Sequence, residues 1–116
     1  MRTIIAGPRT VDNYDTVKEA IKTSGFEITE IVSGGAVGVD RLGEKYAIEK
    51  SIPFQRFLPD WKRYKRGAGP IRNAEMAKNA DALIAIWNGT SKGTKNMIKT
   101  ATNYGLKVYV HQIKEG

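Results

Sequence analysis

Short apolar runs alternate along this chain with segments whose apolar residues recur at helical spacing. The apolar runs predict five strands, at 3–6, 28–32, 53–58, 81–87 and 107–111. The intervening segments predict helices at 12–24, with Asp12 as N-cap, and at 38–50, 71–79 and 93–104, with a loop over 60–70. This alternation predicts an α/β fold, a Rossmann-like doubly wound, mostly parallel five-stranded sheet that forms a single domain over residues 1–116.

Glycine-rich segments follow three of the predicted strands. They are Gly7–Thr10, Ser33–Asp40 and Asn88–Thr94, and the second contains Gly34, Gly35 and Gly38. Glycine lets the backbone approach an anion closely, and a helix that follows points its positive dipole end at the same place. Ligands of doubly wound sheets lie at the carboxyl ends of the strands, so we expect the three loops to form one pocket for a phosphorylated molecule.

The second loop also has a purely structural interpretation. Gly34, Gly35 and Gly38 are compatible with a tight strand-to-helix turn, in which Asp40 interacts with the helix dipole and no ligand is needed. The spacing leaves both interpretations open. It matches neither the dinucleotide fingerprint nor a Walker A loop.

Several side chains near these loops suit a nucleotide. Arg9 and Arg72 could pair with phosphate, and Trp61 could stack on a base. The candidate binding residues are Gly7, Arg9, Gly34, Gly35, Gly38, Asp40, Trp61, Arg72, Asn73, Gly93 and Thr94.

Composition narrows the classes of ligand. The net charge of +7 suits a small anion as well as nucleic acid, and only residues 62–66 are densely basic. Single-stranded nucleic-acid binding through that segment, with Trp61 and Tyr64 stacking, is therefore an alternative. The chain has no cysteine and one histidine, His111, so neither a disulfide framework nor a zinc site is expected, and no cofactor is predicted.

The hydropathy pattern gives no membrane signal. The longest strictly apolar stretch, 82–87, is too short to span a bilayer, and the N-terminus does not resemble a signal peptide. We therefore expect a cytoplasmic protein without a membrane partner.

Five motifs resemble those of the YspA-like branch of the SLOG superfamily, which is named after the SMF/DprA proteins and the LOG phosphoribohydrolases. Their order and spacing cover nearly the whole chain. They are Gly7–Thr10, Gly34–Asp40, Pro59–Trp61, Gly69–Asn73 with Met76, and the loop that ends in Gly93–Thr94. The resemblance implies a Rossmann-like fold that binds nucleotides or nucleotide-derived ligands, and it makes a homo-oligomer possible. It points to a sensor, sequestering or accessory domain.

Enzymatic activity is left open by the same resemblance. The LOG enzymes, which cleave a nucleoside monophosphate into base and ribose phosphate, carry a Pro-Gly-Gly-x-Gly-Thr-x-x-Glu pattern. Gly93 and Thr94 match it, and Met97 stands at the position of the glutamate. Arg72 matches an arginine of those enzymes, so a hydrolase would depend on Arg72 together with Asp40 or Asp60 as the carboxylate.

Overall fold

The computed structural model describes residues 1–114, which form a parallel sheet with helices on both faces. The strands are β1 Arg2–Ala6, β2 Glu30–Ser33, β3 Phe54–Arg56, β4 Ala82–Trp87 and β5 Lys107–Gln112. The helices are α1 Tyr14–Ser24, α2 Val39–Glu49, α3 Trp61–Tyr64, α4 Ala68–Lys78 and α5 Lys92–Asn103. A short 3-10 turn, Lys65–Gly67, joins α3 to α4.

The strand order is β3-β2-β1-β4-β5, and every neighbouring pair is parallel. The sheet grows outward from β1 to β3, and the chain then crosses back to place β4 on the other side of β1. This reversal creates a crevice at the carboxyl ends of the central strands, where doubly wound folds bind their ligands. The predicted Rossmann-like α/β fold is confirmed.

Alternating side chains of the central strands divide the core into two layers. Ile5, Ile31 and Ile84 pack with buried residues of α1 and α2. Ile4 and Leu83 pack on the opposite face with buried residues of α4 and α5. Because both faces of β4 are covered, its sequence is a continuous apolar run instead of an alternating one.

The structure corrects three local predictions. Asn13, not Asp12, caps α1, and its side chain accepts a hydrogen bond from the Asp15 N–H at 3.0 Å. The expected loop over 60–70 is largely helical, because the Asp60 side chain caps α3 and Pro70 is tolerated in the first turn of α4. The third strand is shorter than predicted, an exposed edge of three residues.

The helices are short. The longest, α5, has 12 residues and is about 18 Å long at 1.5 Å per residue. Within residues 1–114, no helix combines the length and apolar character needed to cross a bilayer. The same part of the chain contains no group of three His, Cys, Asp or Glu side chains that could hold a metal ion.

Candidate functional site

A cleft of about 620 Å³ opens at the carboxyl edge of the sheet. The ends of β1, β2 and β4 bring their loops to this edge, and α4 and α5 contribute side chains to it. The cleft is lined by ten of the eleven predicted binding residues: Gly7, Arg9, Gly34, Gly35, Asp40, Trp61, Arg72, Asn73, Gly93 and Thr94. The topology thus brings residues that lie as much as 87 positions apart, Gly7 and Thr94, to one place.

Two predicted residues lie outside the cleft. Gly38 is the N-cap of α2 with φ of 85°, and a Cβ atom there would lie 2.5 Å from the Pro8 carbonyl oxygen, so this glycine allows two loops to pack together. Asp60 accepts a hydrogen bond from the Arg63 N–H at 3.1 Å and lines an adjoining, smaller hollow with Tyr64. Neither residue lines the cleft that the other candidates share.

The backbone of the β2–α2 loop is satisfied largely by the protein itself. The Asp40 carboxylate accepts hydrogen bonds from the N–H groups of Ala36, at 3.2 Å, and of Gly7. The first N–H of α2, that of Val39, donates to the Pro8 carbonyl at 3.3 Å. These contacts hold the first and second glycine loops against each other, and they favour the structural interpretation of the glycines in this segment.

An ionic network around the buried carboxylate of Glu44 also supports this loop. The Ser33 hydroxyl accepts a hydrogen bond from the Gly35 N–H at 3.0 Å and donates to Glu44 at 2.6 Å. Arg56 pairs with both oxygens of Glu44, whose residue is only 4% exposed. Burial alone would raise the pKa of Glu44, but the hydrogen bonds from Arg56 and Ser33 outweigh it and hold that pKa below its usual value.

Asp40 is the one acidic residue among the described residues that line the cleft. Burial raises the pKa of this carboxyl to about 6, against the opposing effects of the Ala36 N–H and the Arg72 charge. The nearby negative charge of Glu44 adds to the increase. At neutral pH the group is mostly ionised, and its protonation is within reach of mildly acidic conditions.

Arg72 lies beside Asp40 and braces the wall of the cleft. Its Nη1 donates to the Gly34 carbonyl at 2.7 Å and, more weakly, to the Phe57 carbonyl at 3.4 Å. A Cβ atom on Gly34 would lie 2.6 Å from Arg72 Nη1 and 2.8 Å from Asp40 Oδ2, so glycine is required for both groups to approach the backbone. Burial lowers the pKa of Arg72, and the charge of Asp40 opposes that effect.

The β4–α5 loop is organised by polar side chains that leave its helix end open. Asn88 Oδ1 accepts hydrogen bonds from the N–H groups of Thr90 and Ser91, both at 2.9 Å. Ser91 is the N-cap of α5; its Oγ accepts from the Thr94 N–H at 3.4 Å and lies 2.9 Å from the Thr94 hydroxyl. The loop therefore keeps a defined shape without using the first donors of the helix.

Those first donors belong to Lys92 and Gly93, the opening residues of α5. Neither N–H has a hydrogen-bond acceptor within residues 1–114, and both residues line the cleft. A Cβ atom on Gly93 would meet no heavy atom within 4 Å, so the structure leaves open space beside this residue. Unpaired N–H groups at the positive end of a helix attract anions.

Within residues 1–114, twelve further residues line the cleft that were not among the candidate binding residues: Ala6, Ala36, Leu58, Pro59, Arg66, Gly69, Pro70, Met76, Ser91, Lys92, Asn96 and Met97. Most of them lie in loops or motifs that the sequence had already indicated, and Arg66 belongs to the basic segment 62–66 that was considered only for nucleic acid. Asn96 could have been found, since it follows Gly93 by three residues and so shares its face of α5.

Comparison with known proteins agrees with this architecture. A model of the family described as YspA, cpYpsA-related SLOG matches residues 1–64. The X-ray structure of DNA processing protein A (DprA) from Streptococcus pneumoniae superposes with a TM-score of 0.73 and 18% sequence identity, over 94% of this chain and 49% of that one. The chain thus spans about half the length of that structure. No curated protein sequence matches it significantly.

The match to the family model covers more than half of the 116 residues and includes the first two glycine loops. The likeness to DprA, at its low identity, supports the fold alone. On this basis, the chain belongs to the YspA, cpYpsA-related SLOG family.

Proposed function

We propose that the cleft binds a nucleotide or a nucleotide-derived small molecule, with a phosphate at the N-terminus of α5. The observation that carries the proposal is the pair of N–H groups of Lys92 and Gly93, which have no acceptor within residues 1–114 and belong to cleft-lining residues at the N-terminus of a 12-residue helix. A phosphate there would accept hydrogen bonds from both groups and would be stabilised by the helix dipole. Membership of the SLOG family favours the same class of ligand.

The charges around the cleft support an anionic ligand. Among residues 1–114, four basic residues line the cleft, Arg9, Arg66, Arg72 and Lys92, whereas Asp40 is the one acidic residue that does so. Arg9, Arg66 and Lys92 are exposed, so they can adjust to a ligand without disturbing the fold. This local excess of positive charge is consistent with the net charge of +7.

The size and apolar part of the cleft support a nucleoside as the remainder of the ligand. Its volume of about 620 Å³ lies within the range of small-molecule sites, roughly 300–1,000 Å³. Leu58, Pro59 and Trp61 contribute apolar surface, and 58% of the Trp61 surface is exposed. A base that stacks on the indole would cover this surface.

Binding without chemistry is sufficient for a sensor, sequestering or accessory domain, and we propose such a role. Calorimetry with AMP, adenosine, cyclic nucleotides and ADP-ribose tests it most directly. We expect phosphorylated members of the panel to bind, and adenosine to bind more weakly than AMP. Absence of binding by every member, in a sample shown to be folded, would overturn the proposal.

Replacing Arg72 separates its contact with ligand from its role as a brace. Arg72→Ala is expected to weaken the binding of AMP by about 1.5–3 kcal/mol, the range for hydrogen bonds to charged groups. The binding of adenosine should change little. Arg72→Lys should restore little of this loss, because an ammonium cannot hold the Gly34 carbonyl and Asn73 and also contact the ligand, as the several N–H groups of a guanidinium can. Calorimetry with both ligands and a thermal melt on each variant provide the measurement.

Arg41 offers a matched control, since its Nε donates to the Gly35 carbonyl at 2.8 Å and it does not line the cleft. Arg41→Ala also removes a hydrogen bond that holds the β2–α2 loop. It should lower the melting temperature and change the affinities for AMP and adenosine by the same factor. If Arg72→Ala also lowers the two affinities by the same factor, Arg72 only supports the loop and does not contact the phosphate.

A second candidate is cleavage of the N-glycosidic bond of a nucleoside phosphate. It is favoured by one observation: the buried carboxyl of Asp40, with a pKa of about 6, lies in the cleft beside Arg72. Met97 occupies the α5 position where the LOG pattern has glutamate. Among residues 1–114, Asp40 is the acidic residue that lines the cleft, so it would have to stabilise the oxocarbenium ion. Release of free adenine from AMP, lost in Asp40→Asn, would establish this activity.

Nucleic-acid binding through residues 62–66 predicts a different result in the same assays. Helix α3 has no buried residue, so Lys62 and Arg63, whose guanidinium lies 4.9 Å from the centre of the Tyr64 ring, are exposed to a phosphate backbone. Affinity for single-stranded DNA would then fall steeply as salt is raised. Absence of DNA binding at low salt would remove this alternative.

A further inference from the structure

A chain of side-chain hydrogen bonds connects Arg72 on α4 to Asn96 on α5. Arg72 Nε donates to Asn73 Oδ1 at 3.1 Å, and Asn73 Nδ2 donates to Asn96 Oδ1 at 2.9 Å. All three side chains line the cleft, and Asn73 is only 6% exposed. The chain joins two walls of the cleft, α4 and α5, through the uncharged amide of Asn73.

The direction of these hydrogen bonds follows from the chemistry of arginine. A guanidinium can only donate, so Asn73 must turn its oxygen toward Arg72 and its amino group toward Asn96. Asn96 must then accept with its oxygen. Its own amino group is left pointing away from Asn73, without a hydrogen-bond acceptor among the described residues.

The position of Asn96 places this donor beside the open end of α5. Asn96 follows Gly93 by three residues and Lys92 by four, which puts the three residues on one face of the helix. Side chains of a helix lean toward its N-terminus, which directs the Asn96 side chain toward the turn that carries the two unpaired N–H groups.

We infer that Asn96 is a specificity-determining residue, whose amino group donates a hydrogen bond to a phosphate oxygen of the ligand. Arg72 and Asn73 are positioning residues for this contact, because they hold the Asn96 amide in its donating orientation. The inference rests on the proposed function and deepens it: the ligand must present an acceptor at this point. A ligand that places a hydrogen-bond donor, such as an amino group, opposite the Asn96 amino group should bind less tightly.

Asn96→Asp tests the inference with little structural change. An aspartate at 96 still accepts from Asn73 Nδ2, but it turns a negatively charged oxygen toward the cleft in place of the amino group. We expect the affinity for ribose 5-phosphate and for AMP to fall at least tenfold. The melting temperature should not fall, since the hydrogen bond to Asn73 is kept and a negative charge in the first turns of a helix is favourable. Affinity for adenosine should change less than twofold.

Asn103→Asp is the matched control, because it makes the same change of net charge at an exposed position of the same helix that does not line the cleft. It should leave all three affinities within twofold of the wild type. A loss of phosphate affinity in Asn103→Asp as large as in Asn96→Asp would mean that overall charge, not the Asn96 donor, is responsible, and the inference would be wrong.

Two further outcomes can be told apart. If the wild type binds ribose 5-phosphate or AMP and Asn96→Asp binds them equally well, only the inference about Asn96 is overturned. If the folded wild type binds neither probe nor any nucleotide of the panel, the proposed function is overturned and the inference falls with it. Nuclear magnetic resonance gives an independent check: phosphate ligands should shift the Asn96 amino signals, and before titration these should exchange with water faster than those of Asn73.

Discussion

The β2–α2 and β4–α5 loops both carry glycines between a strand and a helix, yet they differ in where their hydrogen bonds go. In the first, acceptors from the protein engage the N–H groups of Gly35, Ala36 and Val39. In the second, the N–H groups of Lys92 and Gly93 have no acceptor within residues 1–114, and both residues line the cleft. Glycine content therefore does not identify a phosphate loop by itself.

The difference can be traced to the acids around each loop. Asp40 and Glu44 follow the first loop on α2, and both turn their carboxylates back into it. The segment 82–113, which contains the second loop and all of α5, has no aspartate or glutamate. The positive end of α5 is consequently not neutralised from within, which leaves it available to an external anion.

The largest expected effect comes from a pair of glycine substitutions. Gly38→Ala places a Cβ atom 2.5 Å from the Pro8 oxygen at a φ of 85°, so strain and overlap together should lower the free energy of unfolding by about 2–5 kcal/mol. Gly93→Ala meets open space within a helix and should change it by less than about 1 kcal/mol. Denaturant unfolding of both variants is the measurement, and similar stabilities would contradict the division into a packed loop and an open one.

The serines of the two loops give a smaller contrast. Ser33→Ala leaves Glu44 and the Gly35 N–H short of a buried partner and should cost about 1–3 kcal/mol of unfolding free energy. Ser91→Ala removes only the N-cap of α5 and should cost about 1 kcal/mol. If thermal or denaturant unfolding shows Ser91→Ala to be the more damaging change, the β4–α5 loop is the more tightly built of the two.

The sequence predicted the architecture well because hydrophobic periodicity reports the arrangement of strands and helices directly. It also located most of the cleft, since parallel strands deliver the loops that follow them to one edge. Gly7 and Gly93 are far apart in the chain, and their shared edge follows from topology alone.

What the sequence could not supply was the partner of each polar group. Asp60 is a candidate catalytic carboxylate by sequence, but in the structure it serves as the N-cap of α3, within a segment that was expected to be a loop. Asp40 satisfies backbone N–H groups of two loops, a role that depends on Gly38 bringing those loops together. Such roles depend on tertiary distances, which a pattern along the chain does not contain.

The pH dependence of stability provides a third contrast, because Asp40 belongs to the closed loop and the open loop contains no acid. The pKa of Asp40 is about 6 in the folded protein and 3.8 in its reference state. As the pH falls from 7 to 5, the folded state therefore takes up this proton before the unfolded state does. Acidification from pH 7 to pH 5 should therefore raise the free energy of unfolding by about 1 kcal/mol.

The Asp40→Asn variant isolates this contribution. It removes the titrating group, so its unfolding free energy should rise by about 1 kcal/mol less than that of the wild type between pH 7 and pH 5. Glu44, whose pKa is lowered, acts in the opposite direction: its stabilisation is present above its usual pKa of 4.5 and is lost as the pH falls further. Denaturant titrations of both proteins at pH 5, 6 and 7 avoid that lower range. Identical pH profiles would show that the Asp40 carboxyl titrates normally, and that closing the β2–α2 loop around a carboxylate carries no electrostatic cost.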